Sequence, residues 1–347
     1  MENIVIDVGQ LNSPTAFYFS SIDGLEAFNQ GWSDGLQPSV CWDLRQLTSG
    51  KIDIGAVAFF LAVAHRVRLF TSHRQPILLE WHPKQFSFLS EIGFFETADK
   101  YDLFKWPFAI GGFEQQKLHP STKVMSFDQI MRPPSFQDLE GVSEWKLTHR
   151  EHYRAQIVNK CESLFSSTDL RGYENLPLII SRTTAELVTN SLLWGDSSSF
   201  TSFQRSRFNI SINVCDIGRG FRFSLYRKGE LDHLNGSLDI ENDVVSIALG
   251  SVINENDFGL KRAIDTVLEL GGNITILSNK GEIQWTSSLW KNYLNEINNG
   301  GIVSAISKLL LQSKTSKTER QNGYSRVLPS SIRGTRIKFY IPLVEKR

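Results

Sequence analysis

The stretch ELVTN, residues 186–190, lies in an apolar-periodic run that predicts a helix over Leu178–Trp194. Residues four apart on a helix stand one turn apart on the same face, so Glu186 and Asn190 share a polar face opposite the apolar one. Mg²⁺ prefers a few hard oxygen ligands from protein, completed by phosphates and water. Asn190 is therefore a candidate magnesium ligand, and Glu186 a candidate base that polarises a water. A solvated helix face is the alternative.

A second motif, CDIGRGF (Cys215–Phe221), follows a predicted strand over Phe208–Val214. Side chains alternate along a strand, so Asp216 continues the apolar, buried face. A carboxylate there is costly unless it meets a donor, and an adenine amino group is such a donor. Gly218 and Gly220 allow a sharp turn and close approach to a flat base. A strand followed by an Asx turn is the alternative.

Two weaker motifs lie further along the chain. The helix predicted over Gly259–Leu270 carries Lys261 and Arg262 in its first turn, where cations oppose the helix dipole. A polyphosphate bound at this end would reverse that effect; two solvated basic residues are the alternative. The last predicted strand, Arg333–Pro342, places Thr335 on its buried side, where a hydroxyl can donate or accept near a base.

In this order and spacing, the four motifs resemble the Bergerat fold, the ATP-binding domain of the GHKL superfamily. That superfamily includes gyrase B, mismatch-repair ATPases, histidine kinases and anti-sigma-factor kinases. The resemblance covers about residues 150–347 and implies that Mg-ATP is bound. It implies that Glu186 activates water, that Asn190 holds Mg²⁺, and that Thr335 supports Asp216 through a water. The implied nucleotide-binding residues are Asn190, Asp216, Gly218, Gly220, Gly259, Leu260, Lys261 and Thr335.

The chain departs from the family pattern at two points. The second glycine box usually holds several glycines, whereas NDFGL has only Gly259. A His often follows the asparagine motif, and Trp194 stands in that neighbourhood here. The polar stretch Gly229–Phe258 is interpreted as the lid over the phosphates, with little to bury in the absence of ligand.

The N-terminal part alternates strand-like and helix-like runs, which indicates an α/β layer structure. Its segment from CWDLRQL to FSFLSEIGFF resembles STAS-like domains, which meet anti-sigma kinases in signalling. In that family a serine follows an aspartate as phosphoacceptor, but Asp53–Ala56 (DIGA) has no hydroxyl, so we expect no phosphoacceptor here. The predicted elements are strands at Thr15–Phe19, Ser39–Leu47 and Pro76–Trp81, and helices at Ile22–Trp32, Ala56–Leu69 and Pro83–Ile92.

The predicted fold class is α/β (α+β), a STAS-like module followed by a Bergerat-fold sandwich. The domains are residues 1–120, a linker at 121–148, and 149–347, beginning with a helix over His149–Phe165. The segment Leu289–Arg333 is rich in Ser, Asn and basic residues and is interpreted as a solvated insertion; a contact to a partner or nucleic acid is the alternative. His149 and His152 are assigned structural or solvent roles, and Thr48–Lys51 (TSGK) is not a P-loop because the upstream glycine is missing.

Composition limits the function. Lys plus Arg and Asp plus Glu each number 37, so no global field attracts nucleic acid or an anionic membrane. The 3 cysteines are far apart, and we expect a cytoplasmic, non-membrane protein. The expected function is an ATPase acting as a regulatory switch in signalling or defence, with a protein partner; homodimerisation stays open. The alternatives are a protein kinase of the anti-sigma type and a nucleotide-binding module that does not hydrolyse ATP.

Overall fold

Two sheets organise the chain, one parallel and one antiparallel, so the predicted mixed α/β class is confirmed. The computed structural model describes residues 3–8, 11–45, 47, 52–80, 83–107, 121–128, 139–166, 175–253, 259–312 and 322–343. Contacts divide it into unit 1, Met1–Ser126 with Phe200–Gln204, and unit 2, Phe127–Ser199 with Arg205–Arg347.

Unit 1 is built on a parallel sheet of order β1-β2-β3-β4. Two later strands, β5 and β6, are neighbours in the second sheet. The strands are β1 Asn3–Asp7, β2 Ser39–Asp43, β3 Gln75–Leu78, β4 Phe104–Lys105, β5 Thr122–Phe127 and β6 Ser199–Arg205. The helices are α1 Pro14–Ser33, α2 Ile54–Thr71, α3 Pro83–Glu91 and α4 Phe94–Lys100.

The helices predicted over Ala56–Leu69 and Pro83–Ile92 are confirmed as α2 and α3. The strand predicted at Thr15–Phe19 is wrong, because helix α1 runs through these residues. Ser13 caps α1 by accepting a hydrogen bond from the Ala16 backbone N–H at 3.0 Å, and a proline follows at the first helical position. This start signal outweighs the strand preference of the aromatic residues that follow. Asp53 similarly caps α2, so its position before the helix has a structural cause.

Helix α2 is the core helix of unit 1. Among the described residues it is the one helix that is long and apolar enough to cross a membrane, and 72% of it is buried within the fold. A buried core helix meets the same criteria of length and composition. Thr48–Lys51, the stretch that does not match a P-loop, lies outside the described residues.

Unit 2 packs helices against three long antiparallel strands of order β7-β9-β8. The strands are β7 Asn209–Asp216, β8 Asn273–Trp285 and β9 Tyr324–Pro342. The helices are α5 Leu139–Ser166, α6 Leu176–Leu193, α7 Gly220–Tyr226, α8 Asp243–Gly250, α9 Leu260–Glu269 and α10 Ser287–Gln312, with a 3₁₀ turn at Asp232–Leu234.

The predicted helices around ELVTN and after Gly259 are confirmed, as is the strand before Asp216. The apolar stripe of α9 is buried as its spacing predicts. Phe208, however, is 65% exposed, because β7 begins one residue later. The chain after α9 forms the single long strand β8, whose register shifts between Ser278 and Gly281.

Two segments predicted as irregular contain regular structure. The linker at 121–148 holds β5 and the start of α5, which begins ten residues before the predicted His149. The insertion at Leu289–Arg333 holds most of α10, broken at Gly301, and the first part of β9. Leu289, Trp290 and Tyr293 are buried on α10, so this apolar face outweighs the polar composition.

The prediction that Gly229–Phe258 has little to bury is wrong. Helix α8 lies within it, and all eight of its residues are buried. Asn242 caps α8 by accepting from the Val244 N–H at 3.0 Å, and Tyr293 donates to the Ala248 carbonyl at 3.1 Å. Residues 254–258 of the proposed lid lie outside the described part.

Candidate functional site

Helix α6 places Glu186 and Asn190 one turn apart, as predicted, but in different surroundings. Glu186 is only 2% exposed, so a solvated helix face is wrong for this residue. Asn190 is partly exposed and lines a pocket described below. The polar face of α6 is therefore directed into unit 2 rather than towards water.

Three arginines meet the buried Glu186 carboxylate, and we call them the arginine cluster. Arg150 of α5 contacts Oε1 of Glu186. Arg154, one turn along α5, contacts Oε2 through its Nε at 3.4 Å. Arg262 in the first turn of α9 contacts the same Oε2 at 3.3 Å. Both oxygens of the candidate base are thus held by guanidinium groups, which satisfy a buried charge that would otherwise be strongly unfavourable.

Gly259 lies at the start of α9, directly against the Glu186 side chain. Its φ of 56° lies in the left-handed region, and a Cβ at this position would collide with the Glu186 side chain. Glycine is therefore required both by conformation and by space. Lys261, one of the predicted nucleotide-binding residues, forms an ion pair with Asp265 at 2.8 Å.

Asp216 ends β7 directly opposite Thr335 of β9, and it is only 6% exposed. Its Oδ1 accepts hydrogen bonds from the backbone N–H groups of Gly218 at 2.8 Å and Thr335 at 3.2 Å. Burial raises the pKa of Asp216 to about 6, while the hydrogen bonds from Gly218, Ser191 and Thr335 oppose that shift. The support from Thr335 in this structure comes from its backbone N–H.

The glycines after Asp216 hold the chain in close contact with its neighbours. Gly220 has a φ of 76°, and a Cβ there would lie 2.7 Å from the Ser278 hydroxyl. A Cβ on Gly218 would collide with the Gly195 carbonyl oxygen. The two glycines of this motif are thus needed for the local backbone packing as well as for any approach of a ligand.

A pocket opens beside these residues, and we call it the base pocket. Five of the predicted site residues line it: Asn190, Asp216, Gly220, Leu260 and Thr335. Of the other predicted site residues, Glu186, Gly218, Gly259 and Lys261 are absent from its lining. Glu186 and Gly259 instead meet each other at the neighbouring arginine cluster.

Sequence reasoning missed several residues of this site. Trp194 and Ser191 line the base pocket, and the Lys228 ammonium lies 4.4 Å from the Trp194 ring centroid, a cation–π distance. Arg150 and Arg154 were also missed. Their four-residue spacing on α5 was the available signal, because it places two cations on one helix face.

The fit of Mg²⁺ depends on oxygen donors. Among the described residues no group of three His, Cys, Asp or Glu side chains could hold a metal ion. A magnesium ion bound together with a polyphosphate needs only one or two protein oxygens. The Asn190 amide at the pocket wall supplies such an oxygen.

No family model matches the chain, and neither the curated proteins nor the solved structures gave a significant match.

Proposed function

We propose that unit 2 binds Mg-ATP in the base pocket and acts as a nucleotide-dependent regulatory switch of the GHKL type, with a STAS-like module in unit 1. The observation that carries the proposal is Asp216, a buried acid at the wall of the base pocket. Motifs separated by more than a hundred residues, from Asn190 to Thr335, meet around it.

Asp216 selects adenine in this proposal. With a pKa of about 6, its carboxylate is mostly ionised at neutral pH and accepts a hydrogen bond from an exocyclic amino group. Guanine presents a carbonyl oxygen at the equivalent position and would repel the carboxylate.

Asn190 would hold Mg²⁺, which neutralises phosphate charge when bound. Glu186 would orient and polarise the attacking water, which requires that its carboxylate be released from the arginine cluster. That same set of ion pairs supports a second candidate function, a module that binds ATP without hydrolysing it. In that case Glu186 serves only to hold α5, α6 and α9 together.

Calorimetric titration with Mg-ATP and Mg-GTP tests the first step. We expect ATP to bind the wild-type protein at least tenfold more tightly than GTP, and Asp216→Asn to reduce this preference. The matched control is Asp239→Asn, which changes an exposed aspartate in the same unit. Equal affinity for the two nucleotides in the wild-type protein would contradict the adenine assignment.

Hydrolysis measured on the same proteins separates the two candidate functions. If Glu186 is the base, Glu186→Gln retains ATP binding and loses hydrolysis by about 10²–10⁴-fold. If the protein only binds ATP, wild type and variant show the same background release of phosphate.

A further inference from the structure

Among the described residues, the arginine cluster brings three guanidinium groups to one buried carboxylate. Glu186 supplies one negative charge to three guanidinium groups. Glu151, which is 73% exposed, also contacts Arg154, at 3.2 Å. Three positive charges held around one carboxylate repel each other, which is unfavourable unless an anion of higher charge replaces the carboxylate.

The geometry of the cluster is that of an anion site. Arg150 holds one carboxylate oxygen while Arg154 and Arg262 hold the other. Guanidinium groups bind carboxylate and phosphate oxygens in the same manner. Glu186 therefore occupies the place that a phosphate group would take.

The cluster also lies at the right distance from the base pocket. Glu186 and Asn190 are one helical turn apart on α6, which corresponds to about 6 Å along the helix axis. A triphosphate chain that passes Asn190 reaches the cluster with its terminal group. The side chain of Arg262 is 53% exposed, so an anion can approach it from solvent.

We propose that Arg150, Arg154 and Arg262 form the binding site for the terminal phosphate of a nucleoside triphosphate, with the Glu186 carboxylate as an internal anion that occupies the site in the nucleotide-free protein. This inference rests on the proposed function for the identity of the nucleotide. Binding of the triphosphate displaces Glu186 from the arginines and releases it towards the phosphate. Helix α5 thereby distinguishes a triphosphate from a diphosphate, because a diphosphate ends short of the cluster.

Binding of Mg-ATP, Mg-ADP and inorganic tripolyphosphate to the intact chain provides the test. In Arg154→Ala and Arg262→Ala we expect the ratio of ATP to ADP affinity to fall about tenfold, the effect of losing one charged hydrogen bond. Arg227→Ala is the matched control. Arg227 is an exposed arginine of the same unit that contacts the Phe223 ring, and its loss should leave the ratio unchanged.

Glu186→Gln gives a readout that a purely structural cluster would not produce. Removing the internal anion should increase tripolyphosphate affinity about tenfold and increase the rise in melting temperature that tripolyphosphate causes. If the arginines only hold the helices together, this variant is less stable and its tripolyphosphate affinity does not increase, which would overturn the proposal. ATP to ADP ratios within twofold of wild type in both arginine variants would overturn it as well.

Asp216→Asn separates this inference from the adenine assignment. We expect this variant to bind tripolyphosphate as tightly as the wild type while it loses affinity for ATP. Tripolyphosphate binding without any adenine preference in the wild type would show the phosphate site to be correct and the proposed nucleotide wrong. An absence of tripolyphosphate binding in the wild-type protein would refute the phosphate site itself.

Discussion

Replacing Asp216 by asparagine should make the protein more stable and a weaker binder of ATP. Burial raises the pKa of Asp216 from 3.8 to about 6, which corresponds to a cost of about 3 kcal/mol for keeping the ionised form in the folded protein. Asparagine is uncharged at every pH, and its Oδ1 can still accept from the Gly218 and Thr335 N–H groups. The unsatisfied amide donor of asparagine offsets part of the gain. We therefore expect a net stabilisation of about 1–3 kcal/mol at pH 8.

The pH dependence fixes the sign of this effect. The folded protein binds the Asp216 proton more tightly than the unfolded chain, because the pKa of the folded state is the higher one. This contribution to the free energy of unfolding is fully present below about pH 4 and is lost as the pH rises through about 6. The difference between wild type and Asp216→Asn should therefore be large at pH 8 and close to zero below pH 4. Urea unfolding of both proteins across this range measures it.

The ATP affinity of Asp216→Asn should decrease, whereas its stability should increase. In the proposed complex the carboxylate accepts from the adenine amino group. Because a charged hydrogen bond contributes about 1.5–3 kcal/mol, Asp216→Asn should weaken ATP binding about tenfold or more. Wild-type affinity should also decrease as the pH falls below about 6, where Asp216 is protonated, while the variant shows no such decrease from this residue. An Asp216→Asn protein that is less stable at pH 8 and binds ATP as well as wild type would refute the reasoning.

Four further predictions concern the candidate site and the helices around it and in unit 1. Asn190→Ala should reduce magnesium-dependent ATP binding and turnover together, as calorimetry with and without Mg²⁺ would show; a loss of turnover alone contradicts the ligand role. Gly220→Ala should destabilise the protein by about 1–3 kcal/mol, and by more than Gly236→Ala, which has a φ of 84° but no atom within 4 Å of the added Cβ; equal thermal shifts contradict the packing argument. The backbone amides of α8 should be protected from hydrogen exchange without nucleotide, since the helix is buried. Fast exchange there would instead indicate that the predicted lid is mobile. Asp53→Ala should cost about 1 kcal/mol in chemical unfolding through the lost α2 cap, and an unchanged midpoint would exclude that role.

The base pocket could be predicted from sequence because its residues lie at fixed positions in regular elements. The strand before Asp216 alternates, so burial of the carboxylate follows from period two once the strand is recognised. The stripe of α9 follows from period 3.6, and its end from two glycines at 271 and 272. Such local patterns depend on few assumptions about how distant segments pack.

The failures have specific physical causes. Helix α10 was missed because asparagines and serines interrupt its apolar residues, although Trp290 and Tyr293 lie on its buried face. Helix α8 was missed because one short apolar run lies between polar segments. The strand predicted at Thr15–Phe19 failed because the capping signal of Ser13 was weighed less than β-propensity, which depends strongly on context.

The arginine cluster could not be predicted because it forms only when α5, α6 and α9 pack together. Arg150 and Glu186 are 36 positions apart, and Arg262 is 76 positions from Glu186. A single sequence gives no measure of such pairing. The consequence for function is direct, since the sequence predicts Glu186 as a water-activating base whereas the structure shows both of its oxygens bound by arginine.

The two ends of the site differ in charge, and this difference restricts the ligand. At one end Asp216 presents a buried acceptor, which favours a neutral group that donates a hydrogen bond. At the other end the arginine cluster presents donors that favour a polyanion. A ligand that fits both must carry an amino group on a flat ring at one end and several negative charges at the other, with Asn190 between them. An adenine nucleotide with a long phosphate chain has this polarity. A guanine nucleotide carries a carbonyl oxygen where adenine carries its 6-amino group, and a free polyphosphate lacks the ring. The three ligands compared on Asp216→Asn and Arg262→Ala therefore test each end of the site separately.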